Sequence, residues 1–383
     1  MPAMLNLALL AGVSFLTLAF AEGLLRLAPG LLTEEAAVQM HWREVGFARD
    51  DDGETLVVDD ADLGFRYLPH RTGHLERGDF AFSFTTDEHG FRNPSSWPEK
   101  ADIVVVGDSM GFSFGVDDEA AWTSLVQEAL PETTLLNLSV IGTGPQQYLA
   151  VLQRYGLALE PELVLFTLFP GNDLSDAEAF DAWRRSGTER GFRQWRAVGD
   201  AERPQRTLVE RVVEASYVLA VVRDVRRNLA SPFAGETMAV DDGSRLRLAP
   251  TAYVQQTLMA EPDHPAFGLV MEVIAEAREQ ALAQGSRFVV LLVPTKEEVY
   301  LHLLGRTYPP LVATFAAALE ERGIDHLDLS LALRDAAGDG GPLYFEVDGH
   351  PNERGYAVIA DAVTALLRDG DAAATDASRS VRY

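Results

Sequence analysis

Four short blocks of the chain carry side chains that can act together on an acyl group. Gly107-Asp108-Ser109 ends the apolar run Ile103–Val106, and a further glycine, Gly111, follows two residues later. Gly142 follows a second apolar run, and Gly171-Asn172-Asp173 follows a third. Asp348 and His350 stand two residues apart, just before the last amphipathic stretch. A serine hydroxyl is a weak nucleophile until a base takes its proton. His350 can be that base, and it then needs an acceptor that fixes its tautomer and stabilises the imidazolium. Asp348 can fold back to supply one. The oxyanion that develops on attack needs preorganised donors. The N–H groups of Ser109 and Gly142 and the side-chain amide of Asn172 suit that need. Gly142 has no Cβ, so its backbone can approach a ligand closely, and Gly144 competes with it for that place.

Such a set works only if the fold brings the blocks to one place. From Ala101 onward, apolar runs alternate with amphipathic stretches. "IVVVGD", "TLLNLSV", "LVLFTLF", "RFVVLLVP" and "IDHLDL" read as strands, with helical patterns between them. Alternation of this kind predicts a parallel α/β sheet covered on both faces. In such sheets ligands bind beyond the C-terminal strand ends, where strand order reverses. For the order 2-1-3-4-5 that point lies between the first and third strands. Ser109 follows the first and Asn172 the third, so the segments converge on one rim. Lys296 in "VPTKEEVY" follows the fourth strand and lies on the same rim. Its simplest reading is a surface lysine at a strand end.

The flanking segments differ. Ala3–Ala21 carries no charge, and roughly 20 helical residues span a bilayer core of about 30 Å. Ala19-Phe20-Ala21 resembles a signal-cleavage site, but no Lys or Arg precedes the apolar run. Residues 1–29 are therefore expected to be an uncleaved transmembrane anchor with the catalytic part extracytoplasmic. The alternative is secretion after cleavage. Residues 30–100 read as a β-rich lead-in, with Phe65, Phe82, Phe84 and Phe91 in the core. Residues 101–368 form the catalytic domain. Within it, 175–262 is expected to be a helical insertion acting as a lid or docking face. Its apolar stripe comprises Leu208, Val212, Val213, Tyr217, Val218 and Val221. Residues 369–383 are small and polar and read as a disordered tail.

Composition narrows the chemistry. The 383 residues carry a formal net charge of −26, which repels nucleic acid and disfavours it as a partner. There is no cysteine, so disulfides, thiolate metal sites and cysteine nucleophiles are excluded. The remaining histidines (His41, His70, His74, His89, His264, His302, His326) lack metal-ligand spacing. The acidic runs "RDDDGE" and "VVDDAD" lack the spaced pattern of a calcium loop.

The order Gly107-Asp108-Ser109, Gly142, Gly171-Asn172-Asp173, Asp348-x-His350-Pro351-Asn352 resembles the SGNH (GDSL-like) hydrolase superfamily over roughly Ala101 to Leu367. The resemblance implies a flavodoxin-like three-layer sandwich. It implies Ser109, Gly142, Asn172 and His350 in the roles above, and ester hydrolysis or acyl transfer with no metal or organic cofactor. Gly107-Asp108-Ser109-Met110-Gly111 also fits the nucleophile elbow of α/β hydrolases. In that fold, however, the acid lies well before the histidine, and strands precede the serine. The common SGNH pattern puts the acid three residues before the histidine, which here is Val347. The shorter spacing of Asp348 is similar to membrane-associated SGNH-like proteins that O-acetylate exported polysaccharides such as alginate. The expected function is a serine esterase acting on acyl groups such as acetyl. The alternative is an O-acetyltransferase working on an acylated glycan with a membrane acyl-donor protein. A third reading is an inactive site used for binding.

Overall fold

A computed structural model describes residues 2–32, 49–77, 79–93, 96–198, 216–230, 237–240, 242–248, 264–305, 310–338 and 340–380. The chain opens with helix α1 (Pro2–Leu27). Two antiparallel hairpins follow, β1 (Val57–Asp60) with β2 (Gly64–Tyr67) and β3 (Thr72–Arg77) with β4 (Phe80–Thr85). Next come β5 (Ile103–Val106), α2 (Ser109–Phe112), α3 (Trp122–Ala129), β6 (Leu135–Asn137), α4 (Pro145–Val151) and β7 (Leu163–Leu168). Helices α5 (Asp173–Ser186), α6 (Phe192–Val198) and α7 (Tyr217–Ala230) precede a small hairpin, β8 (Thr237–Ala239) with β9 (Arg245–Arg247). The chain then runs through α8 (Phe267–Ala283), β10 (Arg287–Leu292), α9 (Lys296–Tyr300), α10 (Leu311–Glu321), β11 (His326–Asp328), α11 (Ser330–Ala337) and α12 (Glu353–Ser380).

Strands β6, β5, β7, β10 and β11 pair in that spatial order into one parallel sheet. Side chains alternate across it with period two. Val104, Val106, Phe166, Leu168, Val290 and Leu292 join a core with α4, α5, α8 and α10. Ile103, Val105, Leu165, Val289 and Leu291 join a second core with α3, α11 and α12. Both faces are covered, which is why these strands read as unbroken apolar runs.

The lead-in is built into the first core. Phe65, Phe82, Phe84 and Phe91 are buried in it together with residues of β5 and β7. Arg92 carries the attachment further. Its side chain, 2% exposed, pairs with Asp118 and donates to the carbonyls of Phe112, Ser113 and Val116. A buried guanidinium is tolerated only when its donors are met like this. The bonds pin the turn that follows Ser109.

Among the described residues, no helix is long and apolar enough to cross a membrane, so the expected span is not seen. Helix α1 does turn apolar side chains outward, including Leu10, Phe15, Leu16 and Phe20. Its Glu22 accepts from the Ser216 hydroxyl and the N–H groups of Tyr217 and Val218, and so caps α7. Of the stripe expected in the insertion, Tyr217 is buried and Val218 and Val221 are half-buried. Leu208, Val212 and Val213 lie outside the described residues. Helix α12 continues to Ser380, through most of the stretch read as a disordered tail. Alanines 372–374 favour a helical backbone there.

Candidate active site

Strand β5 delivers Ser109 by ending at a tight, glycine-dependent turn. A Cβ on Gly107 would lie 2.8 Å from the Thr167 Cβ, and one on Gly111 would lie 2.3 Å from the Ser139 hydroxyl. Only glycine lets the turn sit this deep between the ends of β6 and β7. The Asp108 carboxylate accepts the Met110 N–H at 2.8 Å and starts α2, whose first residue is Ser109.

The loop before α12 brings the other half. His350 Nε2 lies 2.8 Å from Ser109 Oγ, and His350 Nδ1 lies 2.5 Å from Asp348 Oδ1. Asp348 Oδ1 also accepts the His350 backbone N–H at 3.0 Å. One oxygen therefore serves both ring and backbone, which is how an acid only two residues away reaches Nδ1. With Nδ1–H donating to Asp348, Nε2 is left to accept from Ser109. The Phe114 ring packs at 4.7 Å from the imidazole. Ser109 and Asp348 are 6% and 8% exposed, so the relay is largely withdrawn from water.

Asn172, at the start of α5, donates from Nδ2 to Asp108 Oδ2 at 3.2 Å. The same Asp108 oxygen lies 3.5 Å from Ser109 Oγ. Burial pushes the Asp108 carboxyl above its ordinary range. Gly142 occupies the left-handed region at φ +76°, where glycine is favoured. Its loop is tied to the serine turn two residues earlier, where the Val140 N–H donates to the Gly107 carbonyl at 3.0 Å. Ser109, His350 and Asp348 are thus joined side chain to side chain, Asn172 meets Ser109 through Asp108, and the loop of Gly142 is tied to the serine turn at Val140.

Other groups were read differently from sequence or not at all. Asp173, which begins α5, is a buried brace. It accepts the Tyr148 hydroxyl and the Phe169 N–H, each at 2.6 Å. Asn352 caps α12, accepting the Gly355 N–H at 3.0 Å. Lys296 is not a surface lysine: it is 1% exposed and donates to backbone carbonyls of the His350 loop. The available hint was that it closes an apolar strand in a chain with one other lysine, Lys100. Asp79, in the turn between β3 and β4, accepts the N–H groups of Val347 and Asp348. Nothing near it in the chain pointed there.

Two buried carboxyls give the fold a pH signature. Burial, partly offset by Arg196, pushes Asp176 up to about 6. Burial pushes Glu298 up to about 7. Both folded values lie above the unfolded ones, so the folded state holds these protons more tightly. Their contribution to stability is full below about pH 4 and is lost as pH rises through 6 and 7. The unfolding midpoint is expected to be several degrees higher at pH 5 than at pH 8. An Asp176→Asn/Glu298→Gln double variant should show a clearly smaller difference in thermal scans. An equal difference in both proteins would assign the effect to net charge instead.

Among the described residues, no group of three or more acidic or histidine side chains is placed to hold a metal ion. Residues 253–382 match a family model described as the SGNH hydrolase-like domain of the acetyltransferase AlgX. That span contains Lys296, Asp348 and His350. No curated protein matches. Solved structures similar to this chain include a member of the lipolytic G-D-S-L family from Veillonella parvula. It is 13% identical over 69% of this chain and 96% of that one, with a TM-score of 0.37. A GDSL-like lipase from Bacteroides thetaiotaomicron is 11% identical over 70% and 88%, with a TM-score of 0.35. A catalytic mutant of an acetylxylan esterase from Geobacillus stearothermophilus is 12% identical over 70% and 94%, with a TM-score of 0.34.

Proposed function

We propose that this chain, similar to the SGNH hydrolase superfamily and, over residues 253–382, to the AlgX acetyltransferase domain, is a serine esterase working through an acyl-enzyme. The observation that carries this reading is the unbroken relay from Asp348 through His350 to Ser109. Ser109 Oγ attacks the acyl carbonyl as His350 Nε2 takes its proton. Asp348 holds the imidazole and stabilises its positive charge. The N–H groups of Ser109 and Gly142 and the Asn172 amide stabilise the oxyanion. The leaving alkoxide takes the proton back from Nε2, and water then enters by the same route to release the acid. The substrate is an ester of a short acyl group such as acetyl, carried on a glycan. The uncharged N-terminal stretch and the exposed apolar side chains of α1 support membrane attachment, and the reading places the catalytic part outside the cytoplasm.

A second reading is favoured by the AlgX match: a glycan hydroxyl, not water, takes the acyl group, and a membrane protein supplies the donor. Both readings share the acyl-enzyme and differ in what attacks it. Incubation with an aryl acetate and an acetyl-free glycan separates them. The esterase reading expects free acetate alone, with acceptor present or absent. Acetyl recovered on the glycan rejects it in favour of transfer. Failure to find an acyl group on Ser109 by peptide mass analysis of the trapped enzyme rejects both.

A further inference from the structure

We propose that Lys296 and Asp79 are positioning residues that hold the loop 345–350 from opposite sides and keep Asp348 and His350 in register with Ser109. The inference rests on the serine-relay reading above. The loop is an excursion between Tyr344 and Pro351, which form an isolated bridge at its base. The Phe345 N–H donates to the His350 carbonyl at 3.2 Å and closes it. Lys296 Nζ lies within reach of four successive carbonyls, at 3.2 Å from Phe345, Glu346 and Val347 and 3.0 Å from Asp348. Asp79 Oδ2 accepts the N–H groups of Val347 and Asp348 at 2.8 and 3.0 Å. A third tie, from the Arg247 N–H to the Glu346 carbonyl at 2.8 Å, comes from the hairpin β8–β9.

The two side chains reach the loop from rigid elements. Lys296 begins α9, and the Thr295 hydroxyl and Glu298 carboxylate form a reciprocal cap around it. Asp79 is presented by the hairpin β3–β4, whose Phe80 packs, tilted, at 4.3 Å on Phe345 of the loop. The lead-in therefore supplies part of the site's scaffold. A buried ammonium is costly unless its donors are met and opposite charge is near. Here the carboxylates facing it are Glu297, Asp348, Asp79 and Glu346. Asp108 faces His350 from the serine side. Lys296 thus sets both the shape of the loop and the charge beside the relay.

Steady-state kinetics on an aryl acetate tests this. Lys296→Met is expected to lower kcat about 10²-fold with KM little changed, the cost of a relay misplaced by about 1 Å. With a positive charge gone, the acid limb of its pH–rate profile moves to higher pH. Asp79→Ala should lose kcat to a similar degree, but its acid limb should move to lower pH. Asp79→Asn keeps an oxygen for both N–H groups, so it should retain most of kcat while showing the same downward shift. Wild-type kcat and pH profile in folded Asp79→Ala overturn the proposal, and that variant decides the matter where Lys296→Met fails to fold. Equal losses with unmoved profiles and no rescue by Asn also overturn it, because they mark a purely structural role. An inactive Ser109→Ala beside a fully active Asp79→Ala sinks this inference alone. An active Ser109→Ala sinks the relay beneath it.

Discussion

Replacing Ser109 with alanine is expected to lower kcat for a short-chain aryl ester by roughly 10⁴- to 10⁶-fold and to leave the unfolding midpoint almost unmoved. The large effect follows from the role: with Oγ gone there is no acyl-enzyme, and only binding and the oxyanion donors remain. The small effect on stability follows from the contacts. Ser109 Oγ makes one good hydrogen bond, to His350 Nε2 at 2.8 Å, and a long one to Asp108 at 3.5 Å. His350 is only half-buried, so water can satisfy Nε2 in the variant. The helix cap at Asp108 and the glycine turn do not involve the hydroxyl. Turnover and thermal unfolding measured on one preparation check both halves. Activity within tenfold of wild type removes Ser109 from the reaction.

The parts of this site that were legible in sequence are those whose cause is local. The strand before Ser109 shows as an apolar run because both faces of the sheet are covered. The turn after it shows as Gly107 and Gly111 because no Cβ fits there. The acid was legible as a residue but not as a geometry. Its two-residue spacing looked like a departure from the common pattern. The structure explains it by one Asp348 oxygen serving the His350 ring and backbone together. The clamps were illegible for a different reason. Asp79 meets its amides 268 and 269 residues away, and no period or motif encodes a contact that distant. Lys296 was misread because lysine is usually solvated. Its burial depends on a ring of carbonyls about 50 positions downstream. The bracing role of Asp173 is illegible because the Tyr148 hydroxyl it accepts lies 25 positions upstream.

His350→Ala is expected to cost about as much in kcat as Ser109→Ala, and the double variant no more than either alone. Members of a relay act as a unit, so removing one leaves the others without a task. Here the unit is visible as a single chain of contacts. Nε2 reaches only the serine oxygen, and Nδ1 reaches only Asp348 among the described residues. Among the described residues, no second histidine is hydrogen-bonded to Ser109 or Asp348. Asp348→Ala should cost less, about 10⁴-fold, because the imidazole keeps its bond to Ser109 and its packing on Phe114. What that variant loses is the tautomer and the charge opposite the imidazolium. Rates for the three single variants and the Ser109→Ala/His350→Ala pair decide the matter. If the pair loses the product of the two single losses, serine and histidine act independently and the relay reading fails. If His350→Ala keeps more than about a tenth of wild-type kcat, the base is some other group, since a general base alone is worth at least about 10²-fold.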